Sequence, residues 1–372
     1  MLKLYFIAGE KSGDLHASNV LQQLFSLASK AEIRGIGGDK MQKAGMDLFF
    51  HYRHIALMGF WEVFKNLRSL KKIIANTKKD ILEFRPDAIV LVDSAGFNLR
   101  MARFANEHHI PVIYYISPKV WAWNTSRAWK LKKLVDKMLV IFPFEVEFFK
   151  KFDWRVDYVG NPSHEQLSSL KPSSEFRTRN GLNELPIIAL LPGSRLQEIK
   201  SSLHIFQQLV SRFPNHQFVI AGISDHPNEL YPTATSRLQM LKDQTYDLLL
   251  NAEAAVVVSG TASLETAILN VPQVVVYRTS PISYFIGKRL IKVPYISLVN
   301  LLLGKELVKE LIQDEFNVEM LTKQLSLIIE GGERREDILL GYQSINSQLG
   351  TKKASLNTAR LIFDYVNETK QL

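Results

Sequence analysis

The chain has 372 residues, of which 46% are hydrophobic and 22% are charged, and its formal net charge is +9. This length and composition favour two globular domains, each large enough to bury its own core. The chain has no cysteine, which excludes disulfides, thiolate metal sites and a thiol nucleophile, and no apolar run is long enough to span a bilayer.

Short apolar runs alternate with helical patterns in the first half of the chain. Strands buried on both faces read as continuous apolar runs, so this alternation predicts a doubly wound parallel sheet. The N-terminal run lacks the leader and cleavage site of a signal peptide and is interpreted as the first strand. Strands are predicted at 2–8, 32–35, 88–92, 112–116, 137–140 and 156–159, and helices near 13–28, 61–84, 97–108 and 144–151.

The same alternation restarts after a polar stretch rich in serine and proline. It predicts strands at 187–191, 217–221, 254–258 and 273–277, helices at 196–212, 245–251 and 262–269, and a helical tail from 318 to 366. The predicted fold class is therefore α/β, with two Rossmann-like, doubly wound parallel-sheet domains and a helical C-terminal tail. The predicted bounds are an N-terminal domain at 1–165, a linker at 166–185, a C-terminal domain at 186–345 and a final helix at 346–372, which packs on the N-terminal domain or is exchanged with a partner chain.

A glycine-rich turn, Gly-Glu-Lys-Ser-Gly-Asp (9–14), follows the first predicted strand. Ligands of open parallel sheets bind beyond the carboxyl ends of the strands, where this turn lies. Its two glycines let the backbone approach a ligand closely, which makes Glu10, Ser12, Gly13 and Asp14 candidate acceptor or cleft contacts. The alternative is an ordinary turn in which Ser12 or Asp14 caps the next helix.

Asp93 stands directly after the apolar run 89–92, and Asn98 follows five residues later. A carboxylate at the end of a buried strand is costly unless it is hydrogen-bonded or faces water. At the mouth of a cleft it can act as the general base on a substrate hydroxyl, with Asn98 orienting it or contacting the acceptor. The alternative is that Asp93 caps the following helix.

Two polar turns follow predicted strands in the second half. In Leu-Pro-Gly-Ser-Arg (191–195), backbone N–H groups, Ser194 and Arg195 favour binding of a phosphate, and the alternative is a tight turn with a surface arginine. In Ser-Gly-Thr-Ala-Ser-Leu-Glu (259–265), Glu265 shares a helix face with Thr261 and is placed to bind ribose hydroxyls. Ser259, Gly260 and Thr261 are candidate phosphate contacts, and helix capping alone is the alternative.

Asn300 follows a further apolar run and is interpreted either as closing the nucleotide site or as part of a polar turn. No spacing of His, Asp and Glu is typical of a metal site, so no metal is expected. Nor does the chain contain the Gly-x-Ser-x-Gly turn of many serine hydrolases.

The segment with Met58, Phe60 and Trp61 is apolar and precedes a lysine-rich stretch. It is interpreted either as core or as a surface that enters a membrane interface or holds an acyl chain. Residues 1–165 contain 25 Lys and Arg against 17 Asp and Glu, whereas residues 166–372 contain 21 against 20. This excess favours a phosphorylated substrate or an anionic membrane surface, with solubility as the alternative, and no motif predicts a nucleic-acid partner.

At these motifs the chain resembles the lipid-A-disaccharide synthase family. The signatures occur in order: Ala-Gly-Glu-x-Ser-Gly-Asp (8–14), Gly-Ile-Gly-Gly (35–38), Met-Gly-Phe-x-Glu-Val (58–63), Asp-x-x-x-Phe-Asn (93–98), Ser-Pro-x-Val-Trp-Ala-Trp (117–123), Pro-Phe-Glu (143–145), Leu-Pro-Gly-Ser-Arg-x-x-Glu (191–198), Ser-Gly-Thr-Ala-x-Leu-Glu (259–265) and the Asn300 segment. The resemblance runs from residue 7 to about residue 315. Asn161 and Lys119 depart from the family pattern, which commonly has histidine and a small residue there.

The resemblance implies a GT-B glycosyltransferase with two facing Rossmann-like domains and the donor nucleotide in the C-terminal one. It implies inverting transfer of 2,3-diacylglucosamine from UDP-2,3-diacylglucosamine to the 6′-hydroxyl of 2,3-diacylglucosamine 1-phosphate. The products would be the β-1,6-linked disaccharide 1-phosphate and UDP. The resemblance further implies work without a metal or other cofactor, and peripheral attachment to the cytoplasmic face of the inner membrane.

By motif position, the resemblance assigns Asp93 as the general base and places Arg195 and Asn300 near the UDP pyrophosphate and the donor site. Glu265 fits the ribose-binding acid of this fold class. Two alternatives stay open: a nonhydrolysing UDP-sugar 2-epimerase of similar fold, and a nucleotide-sugar sensor without turnover. A homodimer that exchanges the tail helix also stays open.

Overall fold

A computed structural model of the chain describes residues 1–28, 30–56, 67–290 and 293–371. The chain forms two compact units. The first comprises Met1–Glu165 and Thr351–Leu372, and the second comprises Gln166–Gly350. Each unit is built on its own parallel sheet, as the alternation of apolar runs and helical patterns predicted.

The first unit contains a seven-stranded sheet. Its strands are β1 (Leu2–Ala8), β2 (Ala31–Gly37), β3 (Asp47–His51), β4 (Ala88–Val92), β5 (Val112–Tyr115), β6 (Lys137–Val140) and β7 (Asp157–Tyr158). They lie in the order β3-β2-β1-β4-β5-β6-β7, and neighbouring strands pair in parallel. The chain therefore builds outward from β1 in one direction and from β4 in the other.

Helices connect these strands. They are α1 (Lys11–Leu27), α2 (Asp39–Lys43), α3 (Arg53–Ala56), α4 (Leu67–Phe84), α5 (Ala95–Glu107), α6 (Val120–Trp123), α7 (Arg127–Lys132), α8 (Pro143–Lys150) and α9 (Pro162–Leu167), which crosses the boundary between the units. Successive residues of a strand point to opposite faces of the sheet. Leu4 and Phe6 accordingly belong to one core cluster, and Tyr5 and Ile7 belong to a second cluster on the other face.

The second unit contains a six-stranded sheet in the order β10-β9-β8-β11-β12-β13. Its strands are β8 (Ile187–Leu191), β9 (Gln217–Gly222), β10 (Leu238–Lys242), β11 (Ala254–Val258), β12 (Gln273–Tyr277) and β13 (Glu310–Ile312). Its helices are α10 (Phe176–Arg179), α11 (Leu196–Arg212), α12 (Thr245–Leu250), α13 (Thr261–Ile268), α14 (Pro281–Leu290), α15 (Leu298–Leu303), α16 (Val318–Ser326) and α17 (Arg335–Leu349), with short 3₁₀ turns at Asn228–Leu230 and Gln313–Glu315.

The last helix, α18 (Ala354–Gln371), returns to the first unit and packs against α1. Ala359, Ile362 and Val366 are fully buried in one of the two core clusters of that unit. Glu165 accepts hydrogen bonds from the backbone N–H and the hydroxyl of Ser355, at 2.9 and 2.8 Å. In this single chain the helix packs on the N-terminal unit, and its exchange with a partner chain stays a hypothesis.

The predicted linker at 166–185 is part of the second unit instead. Phe176 is fully buried and Leu182 is 7% exposed, and both pack with Ile187 in the core of that unit. The polar composition of the segment hid these two apolar anchors. The predicted helical tail is also divided, because α16, α17 and α18 are separated by turns.

Candidate active site

In the first sheet β1 and β4 are neighbours, and further strands are added outward from each of them in opposite directions. In the second sheet β8 and β11 hold the same position. The loops that leave two such neighbouring strands diverge, and the crevice between them is where ligands of open parallel sheets bind. All four of the polar turns singled out from the sequence follow these strands: 9–14 after β1, 93–98 after β4, 191–195 after β8 and 259–265 after β11. Each unit therefore holds a pair of candidate ligand-binding loops.

Asp93 lies on a turn with an unusual backbone. Its φ is 48° and that of Ser94 is 45°, so two successive non-glycine residues are in the left-handed region. Such residues cost of order 1–3 kcal/mol each and persist where the surroundings hold them. The carbonyl of Asp93 accepts hydrogen bonds from the Asn98 amide at 2.8 Å and from the Tyr114 hydroxyl at 2.6 Å. The turn is therefore fixed by its own hydrogen-bonding shell.

Burial raises the pKa of the Asp93 carboxyl above its ordinary value. The positive charge of Lys119 and the backbone N–H of Ser94 act in the opposite direction. A half-buried carboxyl with a raised pKa at the end of a strand is a candidate general base.

Asn98 is fully buried and contacts the backbone around Asp93. Its amide nitrogen also donates to the carbonyl of Val92 at 3.1 Å. The side chain is therefore placed to position Asp93, one of the two roles that the sequence left open, and it is not exposed to contact an acceptor directly.

The turn after β1 approaches the Asp93 turn closely. A Cβ atom on Gly9 would lie 2.3 Å from the Ser94 hydroxyl oxygen, so only glycine permits this approach. Glu10 and Ser12 are exposed at the start of α1, whereas Gly13 is buried against Ala8 and β4. The exposed part of this turn is thus Glu10, Lys11 and Ser12.

Asp14 has a different task from the predicted acceptor contact. Its carboxylate is 3% exposed and accepts hydrogen bonds from the backbone N–H groups of Gly38, Lys40 and Met41, at 2.7, 3.2 and 3.1 Å. These groups belong to the first turn of α2. Asp14 therefore caps α2 and holds it beside α1, the helix in which Asp14 itself lies.

Glu145 is a buried carboxylate that lies in one of the family signatures but was given no role in the sequence analysis. It accepts hydrogen bonds from the Ser117 hydroxyl, from the Trp121 indole at 3.3 Å, and from the backbone N–H groups of Ile141 and Phe142 at 3.1 and 3.0 Å. Burial raises its pKa to about 7. Glu145 thus joins the loop that carries Lys119 to the start of α8. The sequence signal for this residue was a single acidic side chain within the otherwise apolar stretch 141–146.

The 191–195 turn opens α11. Gly193 has φ 89°, and a Cβ atom there would lie 2.4 Å from a carboxylate oxygen of Glu198. Ser194 is exposed, and Arg195, whose side chain is 80% exposed, forms an ion pair with Glu198 at 3.2 Å. An exposed pair of this kind contributes little to stability, so the guanidinium is able to turn toward an anion.

The 259–265 turn opens α13. Gly260 and Thr261 are exposed, and a Cβ atom on Gly260 would meet nothing within 4 Å. Ser259 instead uses its hydroxyl to donate to the carbonyl of Ile296 at 2.9 Å, which ties this turn to the segment before α15.

Burial raises the pKa of Glu265, and hydrogen bonding from the Tyr246 hydroxyl opposes that shift. Tyr246 is a site neighbour that the sequence analysis missed.

Asn300 is fully buried. Its amide nitrogen donates to the Val308 carbonyl and to Glu310, each at 2.9 Å, and its oxygen accepts from the backbone of Leu307 and Val308 at 2.8 and 3.0 Å. Asn300 thus ties α15 to β13, and its contact with the donor stays a prediction.

The predicted membrane or acyl contacts Met58, Phe60 and Trp61 lie outside the described residues. Within the part of the chain that is described, no helix combines the length and the apolar character needed to cross a membrane.

Comparison with known proteins adds to this geometry. A family model described as lipid-A-disaccharide synthetase matches residues 4–362. The chain belongs to the lipid-A-disaccharide synthetase family. It is 33% identical to the lipid-A-disaccharide synthase of Geobacter metallireducens, with 99% of this chain and 98% of that protein covered. It is 34% identical to the enzyme of that name from Myxococcus xanthus, with 97% of each chain covered. Family membership makes the chain an enzyme, a UDP-dependent glycosyltransferase of lipid A biosynthesis.

Solved structures resemble the family fold at low sequence identity. The S. aureus MnaA–UDP co-structure has a TM-score of 0.69 at 11% identity and covers 99% of this chain and 97% of its own. The calicheamicin glycosyltransferase CalG4 has a TM-score of 0.65 at 14% identity, with 99% of each chain covered. The UDP-GlcNAc 2-epimerase from Neisseria meningitidis also has a TM-score of 0.65, at 12% identity, with 99% of this chain and 100% of that chain covered. These matches establish the GT-B architecture, which epimerases and glycosyltransferases share.

Proposed function

We propose that the enzyme transfers 2,3-diacylglucosamine from UDP to the 6′-hydroxyl of 2,3-diacylglucosamine 1-phosphate. The observation that carries this proposal is the family match over residues 4–362. The geometry of the first unit supports it, because Asp93 combines a constrained backbone with a carboxyl pKa raised by burial. The alternative 2-epimerase function rests only on a shared fold.

The proposed reaction is a single inverting displacement. The 6′-oxygen of the acceptor attacks the anomeric carbon of the donor sugar while the bond from that carbon to the diphosphate oxygen breaks. The Asp93 carboxylate takes the hydroxyl proton, and UDP leaves with the electron pair of the broken bond. An α-linked donor thereby gives a β-linked product.

The second unit would stabilise the leaving UDP. The N-terminal ends of α11 and α13 present backbone N–H groups and the positive ends of helix dipoles, which favour bound phosphate. Arg195 and Ser194 at the first turn and Gly260 and Thr261 at the second are exposed for this purpose. Oriented donors of this kind typically contribute about 10²–10³ in rate each. We propose that they act without a metal, and that Glu265 binds the ribose hydroxyls.

We also propose that the enzyme works as a peripheral protein on the cytoplasmic face of the inner membrane. Both substrates would carry acyl chains and therefore have to be drawn from a lipid surface. The excess of Lys and Arg in residues 1–165 supports attraction to anionic headgroups. Met58, Phe60 and Trp61 are proposed as the apolar contacts of this surface.

The test is incubation of the purified enzyme with UDP-2,3-diacylglucosamine and 2,3-diacylglucosamine 1-phosphate, followed by mass spectrometry and anomeric NMR of the products. We expect one β-linked disaccharide 1-phosphate for each UDP released, at a rate that a chelator leaves unchanged. A donor with inverted configuration at C2 would identify an epimerase instead. Two unchanged substrates would identify a sensor, and either result contradicts the proposal.

A further inference from the structure

A cavity of about 330 Å³ lies between α5 and α7 in the first unit. Arg100 and Arg103 of α5 and Arg127 and Lys130 of α7 contribute four cationic side chains to its lining. None of the residues that line this cavity is acidic. We refer to it as the basic cavity.

The sequence spacing explains how these charges converge. Residues three and four apart share one face of a helix, and the lining residues of α5 recur at this spacing from Ala95 through Leu99 to Arg103. Arg127 and Lys130 are three apart and share a face of α7 in the same way. Two helices thus direct cationic side chains into one space.

Three of these four charges have no carboxylate partner among the described residues. Across the described residues, no carboxylate lies within ion-pair distance of Arg100, Arg103 or Lys130, and all three are exposed. Like charges in one concave space repel one another and focus a positive potential there. An anionic ligand would relieve this repulsion. The planar guanidinium of arginine can donate two parallel hydrogen bonds to the oxygens of a phosphate, so arginine suits this anion well.

The basic cavity begins next to the proposed general base. Ala95 and Gly96, two and three residues after Asp93, line it at the start of α5. Within α5, Arg100 lies five residues after Ala95, or about 7.5 Å along the helix axis, and Arg103 lies about one turn further. A sugar with a hydroxyl at Asp93 and a phosphate across the ring would therefore extend toward these side chains.

We propose that the basic cavity binds the phosphomonoester of the acceptor. This inference rests on the proposed function, and it deepens it by assigning a binding site to the phosphomonoester at the anomeric carbon of the acceptor, where the donor sugar carries the diphosphate of UDP instead. Arg100 and Arg103 bind the phosphate oxygens, and the cavity orients the sugar so that its hydroxyl points to Asp93. The membrane is the second source of phosphate groups at this surface, and the test separates the two.

The test compares the enzyme with the double variant Arg100→Gln/Arg103→Gln. Glucosamine 1-phosphate is the probe, because it carries the phosphate without acyl chains. We expect calorimetry or ligand-observed NMR to show binding to the unsubstituted enzyme that weakens about tenfold or more in the variant. In the transfer assay, the KM for the acceptor should rise by a similar factor while the KM for the donor stays unchanged. Lys150→Gln, an exposed charge on α8, is the matched control and should change neither value.

Three results would overturn the proposal. One is equal binding of glucosamine 1-phosphate and glucosamine to the unsubstituted enzyme. Another is an unchanged acceptor KM in a double variant that unfolds at the same temperature as the unsubstituted enzyme. The third is loss of binding to phosphatidylglycerol vesicles with the acceptor KM intact, which would identify a membrane headgroup site. Because the probe is measured without turnover, these outcomes are separate from a failure of the proposed transfer reaction.

Discussion

Asp93 combines a constrained backbone with a half-buried carboxyl, and this combination sets its expected mutational behaviour. We expect Asp93→Asn to lower kcat by about 10²–10⁴, the typical contribution of a general base. Asparagine tolerates the left-handed backbone, so the variant should fold. Asp364→Asn, an exposed substitution on α18, is the matched control and should keep full activity. Transfer by Asp93→Asn at near the unsubstituted rate would remove Asp93 from the mechanism.

Lys119 is the charge that favours the ionised form of Asp93. Because a general base acts when deprotonated, activity is lost as the pH falls through its pKa. Removing Lys119 lets burial raise that pKa further. We therefore expect that in Lys119→Met the acid limb of the pH profile, in which kcat/KM falls as the pH is lowered, lies at higher pH. The measurement is kcat/KM over the full pH range of the assay. Lys119→Arg should leave the limb in place, and an identical limb in Lys119→Met would refute the coupling.

Individual site residues were predictable from sequence only where their partners are local. Asp93 follows an apolar run directly, so its position at the end of a strand could be foreseen. Asp14 and Asn300 were predicted to contact ligands. In the structure Asp14 binds backbone N–H groups of another element, and Asn300 binds backbone groups and Glu310, which a linear pattern does not reveal. Glu145 and Tyr246 were missed for the same reason, since their neighbours are brought to them by the fold.

Among the described strands, the central ones were predicted, and of the four edge strands only β7 was. Strands β1, β4, β8 and β11 flank the candidate sites and are buried throughout or nearly so, and each is an apolar run, interrupted only by Lys3 in β1. Strands β3, β10 and β13 lie at sheet edges and contain half-buried residues, so they have no such run. The candidate sites could thus be located from sequence, because they adjoin the most apolar strands.

The α15–β13 connection depends on the side-chain amide of Asn300. Asn300→Ala would leave the Leu307 and Val308 N–H groups and the Glu310 carboxylate without this partner. We expect the free energy of unfolding to fall by about 3 kcal/mol, since each buried polar group left unpaired costs roughly 1–3 kcal/mol. Urea unfolding measures this change, with the exposed Asn228→Ala as control. Equal stability with loss of UDP binding would instead restore a direct role in the donor site.

The two units differ sharply in charge. The first, residues 1–165 with 351–372, contains 29 Lys and Arg against 19 Asp and Glu, whereas the second contains 17 against 18. We expect the enzyme to sediment with phosphatidylglycerol vesicles at low ionic strength and to dissociate as salt is raised, because exposed charges are screened within about 8–10 Å at physiological salt. Phosphatidylcholine vesicles are the control. Absence of binding at low salt would refute electrostatic attachment.

The repeated alternation of strands and helices predicted the division into two α/β units. It did not predict which surface the C-terminal helix covers. Ala359, Ile362 and Val366 form an apolar stripe on α18 that indicates a partner face without identifying it. Their contact with α1 joins residues more than 300 positions apart. Only the folded arrangement shows which surface this stripe covers.

The return of α18 to α1 also imposes an order on synthesis. Residues 166–350 form a contiguous unit that is able to fold as soon as it leaves the ribosome. The N-terminal unit is translated first, yet one of its core faces stays uncovered until α18 emerges. During that interval its apolar surface is exposed to chaperones and to neighbouring nascent chains, so the half of the enzyme that carries Asp93 is completed last.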